Sequence, residues 1–349
     1  MLTHASDARH AHSQRRLRRG RPQPFGWLLL LALVPLFATA QTLRVAVISD
    51  LNGSYGSATY EATVDAAVSR VLALQPDLVI STGDMVAGQR RPHLTRAEVE
   101  RMWEAFHKHV SQPLRATGIP LVVTPGNHDA SAYDGFRLER SIYREQWRDR
   151  RPGMEFLSES GYPFYYAFTL GDILFISLDA TVVGQLPEQQ MKWLQKVLAS
   201  HGREYQRRVV FSHLPLWPLA RGREREYIGD TELQTLLEQA GVELYLSGHH
   251  HAFYPGVSGA IAFVGQACLG AGPRRLIGTE HRSGRSFTLL EFTSDGIQVG
   301  AYQAPQFDSL IDWSTLPARI RSGTAELLRA DLAQGTAVRP ATRVQDAGR

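Results

Sequence analysis

Five short apolar runs, each broken off by residues of metal-ligand type, constrain this chain more than any other feature. The runs cover residues 45–48, 78–80, 121–123, 209–211 and 244–246. They lead into Asp50-Leu51-Asn52, Gly83-Asp84, Gly126-Asn127-His128-Asp129, Ser212-His213 and Gly248-His249-His250-His251. A short run rich in Val, Leu and Ile reads as a buried strand. Open α/β sheets bind their ligands outside the carboxyl ends of strands. Five such strands would deliver carboxylates, amides and imidazoles to one sheet edge. That is the composition of a single metal site.

The stretches between the runs fit an alternating α/β chain. Residues 58–74 carry apolar side chains at helical spacing, and Thr95-Arg96-Ala97-Glu98 is a capping box that opens a helix toward Val110. Residues 164–178 hold two apolar runs around Gly171-Asp172, a hairpin signal. Pro187 is expected in the first turn of a helix containing Trp193 and Leu194, and Thr231 at the start of another that ends near Gly241. Beyond the histidines the chain becomes strand-rich, with a strand over 260–264 and a hairpin around Ser294-Asp295-Gly296. Alternating units plus hairpins imply two mixed sheets packed together with helices outside. One domain is expected over residues 41–305, followed by a C-terminal extension, 306–349, whose polar last part (336–349) is expected to be disordered.

Residues 1–40 read as an export signal. Five arginines between positions 15 and 21 precede an apolar run of 11 residues, 27–37, and Ala38-Thr39-Ala40 offers a cleavage site. The run is short for a membrane span, which needs about 20 residues. The expected location is therefore periplasmic or secreted, with an uncleaved anchor as the alternative and no membrane span after cleavage. This segment holds six of the 38 basic and one of the 34 acidic side chains, so the remainder carries 32 and 33, a net of −1. The high isoelectric point belongs largely to the signal, and nothing in the charge implies nucleic-acid binding. The single cysteine, Cys268, has no internal disulfide partner and reads as a small buried hydrophobe.

Taken together and in order, the five clusters resemble the calcineurin-like metallophosphoesterase superfamily, whose blocks run D-x-H, G-D-x-x, G-N-H-[D/E], H and G-H-x-H. The resemblance covers about residues 43–303. It implies a four-layer αββα sandwich of two mixed β-sheets flanked by helices. It also implies two divalent metal ions, with manganese, iron, zinc and magnesium all open. Asp50 and His251 would hold the first metal, Asp84 would bridge both, and Asn127, His213 and His249 would hold the second. His128 would act on the leaving group or scissile oxygen, with Asp129 orienting it. Such a centre hydrolyses a phosphomonoester or phosphodiester by attack of a metal-bridged hydroxide. Two cations, two carboxylates and a hydroxide leave a net charge of +1, which suits an anionic phosphate.

One position departs from the pattern. Asn52 stands where most members have His, and its amide oxygen is either a weak ligand to the first metal or part of an Asn-Gly turn. Purple acid phosphatases place a ligand Tyr three residues after the bridging Asp; here that position is Ala87, which disfavours that subgroup. His250, between two expected ligands, reads as a bystander. Arg90, Arg91, Arg274 and Arg275 are candidates for binding the substrate's phosphate oxygens. The mixed-charge stretch 221–225 reads as a solvated loop, with anion recognition as the alternative. Substrate choice is expected to reside in loops 85–94 and 214–229. Two rival readings stay open: a non-catalytic metal-binding module on the same fold, and a structural zinc protein. The second lacks the usual cysteines, and the first would have lost His128 or several ligands.

Overall fold

A computed structural model describes residues 42–342, apart from residues 271 and 281. The expected export signal lies outside the described residues. Among the described residues no helix is long and apolar enough to cross a membrane.

Two mixed sheets form the centre. The first runs in the order β13 (Ser309–Leu310), β12 (Gly296–Gln303), β11 (Ser286–Thr293), β1 (Leu43–Ile48), β2 (Leu78–Ser81) and β3 (Leu121–Val123), with β16 (Val338–Pro340) also pairing β12. The second runs β14 (Arg319–Ser322), β15 (Ala325–Arg329), β9 (Tyr254–Ser258), β10 (Ile261–Gly265), β8 (Leu244–Ser247), β7 (Arg207–Ser212), β6 (Ile173–Ser177), β5 (Tyr165–Leu170) and β4 (Glu155–Gly161). All five apolar runs are strands: β1, β2 and β3 are parallel in one sheet, β7 and β8 in the other.

Strand alternation divides the core into two parts. Val45, Val47, Leu78, Ile80 and Val122 join the cluster built with the second sheet. Their neighbours Ala46, Ile48, Val79, Leu121 and Val123 join a separate cluster on the opposite face. There they meet α1 (Ala62–Leu74), α2 (Arg96–Phe106) and α5 (Arg137–Arg148) through Val68, Trp103 and Trp147. A sheet buried on both faces explains why these strands are continuously apolar. The second sheet packs with α6 (Glu188–His201) and α7 (Thr231–Gln239) through Leu194, Val197, Leu233 and Leu237. Each such side chain stabilises the fold by roughly 1.5–3 kcal/mol through burial. Two short helices, α3 (Gln112–Ala116) and α4 (Asn127–Ala130), complete the set.

Local signals hold where the chemistry is strong. The Thr95 side chain accepts from the Glu98 amide while Glu98 accepts from the Thr95 amide, so the expected capping box forms. The helix it opens passes through a π turn at His107–Ser111. Pro187 stands one residue before α6 rather than inside its first turn. The C-terminal expectation needs correction. The chain beyond 305 contributes strands to both sheets, and the segment expected to be disordered contains β16, whose Val338 is fully buried beside Ile297. Backbone pairing and one buried Val suffice to order a polar segment. Residues 343–349 lie outside the described residues.

Candidate metal centre

Asp50 follows β1, Asp84 follows β2, Asn127 follows β3, His213 follows β7, and His249 and His251 follow β8. These side chains converge. Asp50 Oδ1 lies 3.1 Å from His251 Nε2, and Asp84 Oδ2 lies 3.3 Å from His213 Nε2. Two groups of ligand atoms result, each within 4.8 Å: Asp84, His213 and His249, and Asp50, Asp84 and His251. Asp84 belongs to both, as a bridging carboxylate must. Asn127 Oδ1 joins the first group, 2.9 Å from His213 Nε2.

The backbone is forced into unusual shapes to achieve this. Asp50, Asp84, His249 and His251 all have positive φ, between 49° and 62°. Each such residue costs about 1–3 kcal/mol, and such strain clusters at functional sites. The glycines of the blocks follow from the same crowding. A Cβ on Gly126 would sit 2.1 Å from the Asp84 amide nitrogen and 2.2 Å from Asp84 Oδ1. One on Gly248 would meet Ser49 Oγ at 2.2 Å and Asp50 Oδ2 at 2.8 Å.

A surrounding layer of hydrogen bonds aims the ligands. Nδ1 of His213 is 2.8 Å from the Thr82 carbonyl, which leaves Nε2 as its donor atom. Asn127 Nδ2 donates to Gln89 Oε1 at 2.6 Å, turning its amide oxygen toward His213. Nε2 of His249 meets Glu226 Oε2 at 2.9 Å, which leaves Nδ1 facing His213. Asp50 accepts from Ser49 Oγ and from the His249 amide. Such partners fix ring orientation at metal sites.

Both carboxylates are buried. Burial alone would raise their pKa values, but the imidazoles outweigh it and hold both below the usual range: His213 and His128 beside Asp84, His251 beside Asp50. Burial opposes charge on His213, yet Asp84 pushes its pKa up to about 9. Burial pushes His249 down to about 4 against the pull of Glu226. The buried carboxylates thus favour positive charge beside them, and a divalent cation bound there would compete with protons.

Asn52 supplies the test of fit for the first metal. Its side chain is buried, and Oδ1 has no hydrogen-bond partner. An orphaned buried carbonyl oxygen is costly, and a cation bound there would satisfy it. With two carboxylates, two amide oxygens and three imidazoles, the donor set suits borderline and hard divalent ions.

His128 Nδ1 lies 2.8 Å from the Gly88 carbonyl, and Nε2 lies 3.9 Å from Asp84 Oδ2. The ring is thereby fixed with Nε2 toward the ligands. This corrects the expected role of Asp129. Its carboxylate accepts from the Val86 and Gly126 amides and does not hold the His128 ring. Asp129 positions His128 only through the backbone it ties down.

The ligands open into a cavity of about 270 Å³. Gln89 reaches it from loop 85–94, and Leu214, Arg223 and Glu226 from loop 214–229. Exposed Tyr55, Tyr133 and Val183 form its apolar wall, the Tyr55 ring 5.0 Å from that of His128. Arg90 and Arg91 are corrected as substrate ligands. Arg90 pairs with Glu98 at 3.2 Å and Arg91 lies over Phe136, and neither lines the cavity. Arg274 and Arg275 line a separate cleft beside it. The charged stretch read as solvated instead sends Arg223 into the cavity. His250 is no bystander: buried, it accepts from the Leu219 and Ala220 amides and donates to the Glu226 carbonyl, fastening that loop over the site. Nothing in the sequence distinguished Glu226 or Gln89 from other polar loop residues.

Known proteins agree with this fold. The calcineurin-like phosphoesterase family model matches residues 43–253. Purple acid phosphatase 18 of Arabidopsis thaliana is 28% identical over 159 residues, 44% of this chain and 35% of the relative. The chain thus spans about a third of that relative's length. A purple acid phosphatase from Lupinus luteus superposes with a TM-score of 0.56 at 17% identity, covering 75% of this chain and 52% of the other. A dimetal phosphatase from Danio rerio gives 0.54 at 17% identity, covering 74% and 95%. At such identity the superpositions speak for the fold alone. The similarity to purple acid phosphatases stands beside Ala87, a buried alanine where that group has its tyrosine. With its five strand-end blocks gathered around Asp84 and a family match over residues 43–253, more than half of its length, the chain belongs to the calcineurin-like phosphoesterase family.

Proposed function

We propose that the protein hydrolyses a phosphomonoester or phosphodiester at a two-metal centre. The observation that carries this reading is the shared place of Asp84 in two adjoining ligand groups. Asp50, Asn52, Asp84 and His251 would hold one ion; Asp84, Asn127, His213 and His249 the other. When bound, two divalent cations lower the pKa of a coordinated water and offset charge on the phosphoryl oxygens. The chain's own residues do the rest. His128 would donate to the leaving oxygen from Nε2 as the imidazolium, its Nδ1–H held by the Gly88 carbonyl. Arg223 places a guanidinium in the cavity where phosphate oxygens would lie. Leu214, Val183 and the two tyrosines narrow the water around the ester.

Export is part of the proposal and rests on the sequence of residues 1–40. Cleavage after Ala40 would leave Gln41 as the mature N-terminus, which mass spectrometry of the exported protein tests. The activity is tested by loading metal-free protein separately with manganese, zinc, iron and magnesium. Turnover of p-nitrophenyl phosphate and bis(p-nitrophenyl) phosphate is then followed. Hydrolysis of either with two metals bound supports the reading. Two bound metals with no turnover of any phosphoester would point to a non-catalytic metal-binding module.

A further inference from the structure

Beside the metal centre lies a second concavity of about 410 Å³, lined by Arg221, Gly272, Pro273, Arg274, Arg275 and Arg282. Four arginines line it, and one carboxylate accompanies them. Glu280, itself exposed, pairs with Arg221 at 2.9 Å and with Arg275 at 3.2 Å. Arg282 donates to the Pro273 carbonyl, which does not neutralise it. Arg274 has no carboxylate partner among the described residues, and its buried Nε has no hydrogen-bond partner at all. This surplus is concentrated on a chain whose remaining residues beyond position 40 are close to neutral overall. Uncompensated like charges repel one another, so their gathering in one cleft calls for an anion.

The cleft is tied to the catalytic ligands. The Arg274 amide donates to the His251 carbonyl at 3.1 Å, and His251 Nδ1 lies 3.2 Å from the Gly272 carbonyl. Arg221 belongs to the loop that carries Arg223 and Glu226 into the cavity, and its amide donates to the Arg275 carbonyl at 2.8 Å. The two spaces are therefore lined by segments that are hydrogen-bonded to each other.

We propose that the substrate carries a second phosphate group, held in the arginine cleft while its scissile phosphoester lies at the metal centre. This rests on the phosphoesterase reading and goes beyond it by naming the substrate class: small bisphosphorylated molecules rather than simple monoesters. Guanidinium forks match phosphate oxygens and form charge-assisted hydrogen bonds.

The test uses the metal-loaded full-length protein, with p-nitrophenyl phosphate turnover as the readout. Fructose 1,6-bisphosphate and fructose 6-phosphate are compared as competitors. The bisphosphate should compete about tenfold better or more, the worth of one charge-assisted hydrogen bond. The advantage should shrink as salt rises. Arg282→Ala and, independently, Arg221→Gln should bring the ratio of the two inhibition constants toward one, and Arg282→Lys should restore part of it. Equal competition by the two sugars in the wild type, or a bisphosphate advantage unchanged in both variants, would overturn the proposal. Failure of the wild type to turn over p-nitrophenyl phosphate or any other phosphoester is a different result, and it would strike the phosphoesterase reading instead.

Discussion

Glu226 Oε2 lies 2.9 Å from Nε2 of His249, and the same carboxylate pairs with Arg223. One acid thus orients an expected metal ligand and the guanidinium that enters the cavity. Hydrogen-bond partners of this kind typically support metal affinity by about 10–100-fold. Glu226→Gln should keep the ring in place but weaken retention of the second metal. Glu226→Ala should weaken it further and loosen Arg223, raising KM. Equilibrium dialysis with elemental analysis checks the first effect. Unchanged affinity in both variants would mean that Glu226 serves the loop alone.

Asn52 offers a second expectation. With Oδ1 buried and unpaired, Asn52→Ala should release one of the two metals at lower chelator concentration than the wild type. Asn52→His should hold that metal more tightly and shift preference toward zinc, because imidazole suits that ion. Identical chelator midpoints in all three proteins would return Asn52 to a loop-forming role.

His128→Ala should retain both metals and lose about 10²–10⁴-fold in rate, the usual contribution of general acid–base catalysis. The loss should be smaller for esters with good leaving groups, which need little protonation. An equal loss across leaving groups would assign His128 to phosphate binding instead.

Away from the centre, His107 sets a pH dependence of stability. Burial, reinforced by Arg150, pushes its pKa down to about 4, from 6.5 in an unperturbed side chain. The unfolded chain therefore takes up a proton that the folded chain refuses. The contribution to stability is fully present above pH 6.5 and is lost as pH falls toward 4. Between pH 7 and pH 5 the loss is on the order of 2 kcal/mol. His107→Gln should flatten that decline in urea unfolding midpoints. Parallel declines in the two proteins would contradict the assignment.

How much of this was legible in sequence follows from where the information resides. The strands announced themselves because a sheet covered on both faces must be apolar throughout, and their polar ends announced the ligands. The block glycines were visible as letters, but their reason, the 2.1 Å approach at Gly126, is purely three-dimensional. Glu226 and Arg223 sit in a charged loop whose direction is set by His250, and no local signal reports that. The resemblance assigned Asp129 to orient His128, while the chain turns so that Gly88 meets the ring and Asp129 meets the Val86 and Gly126 amides. The C-terminal strands were missed because short, charged edge segments carry little hydrophobic pattern.

The central claim is a dinuclear centre bridged by Asp84. Its most direct test is metal stoichiometry measured alongside phosphoester turnover, in the wild type and in Asp84→Asn. The expected result is two metals per wild-type chain with turnover, and at most one in Asp84→Asn with a loss of rate greater than that from removing any ligand to a single metal. An Asp84→Asn protein that keeps two metals and a near-normal rate would contradict the account.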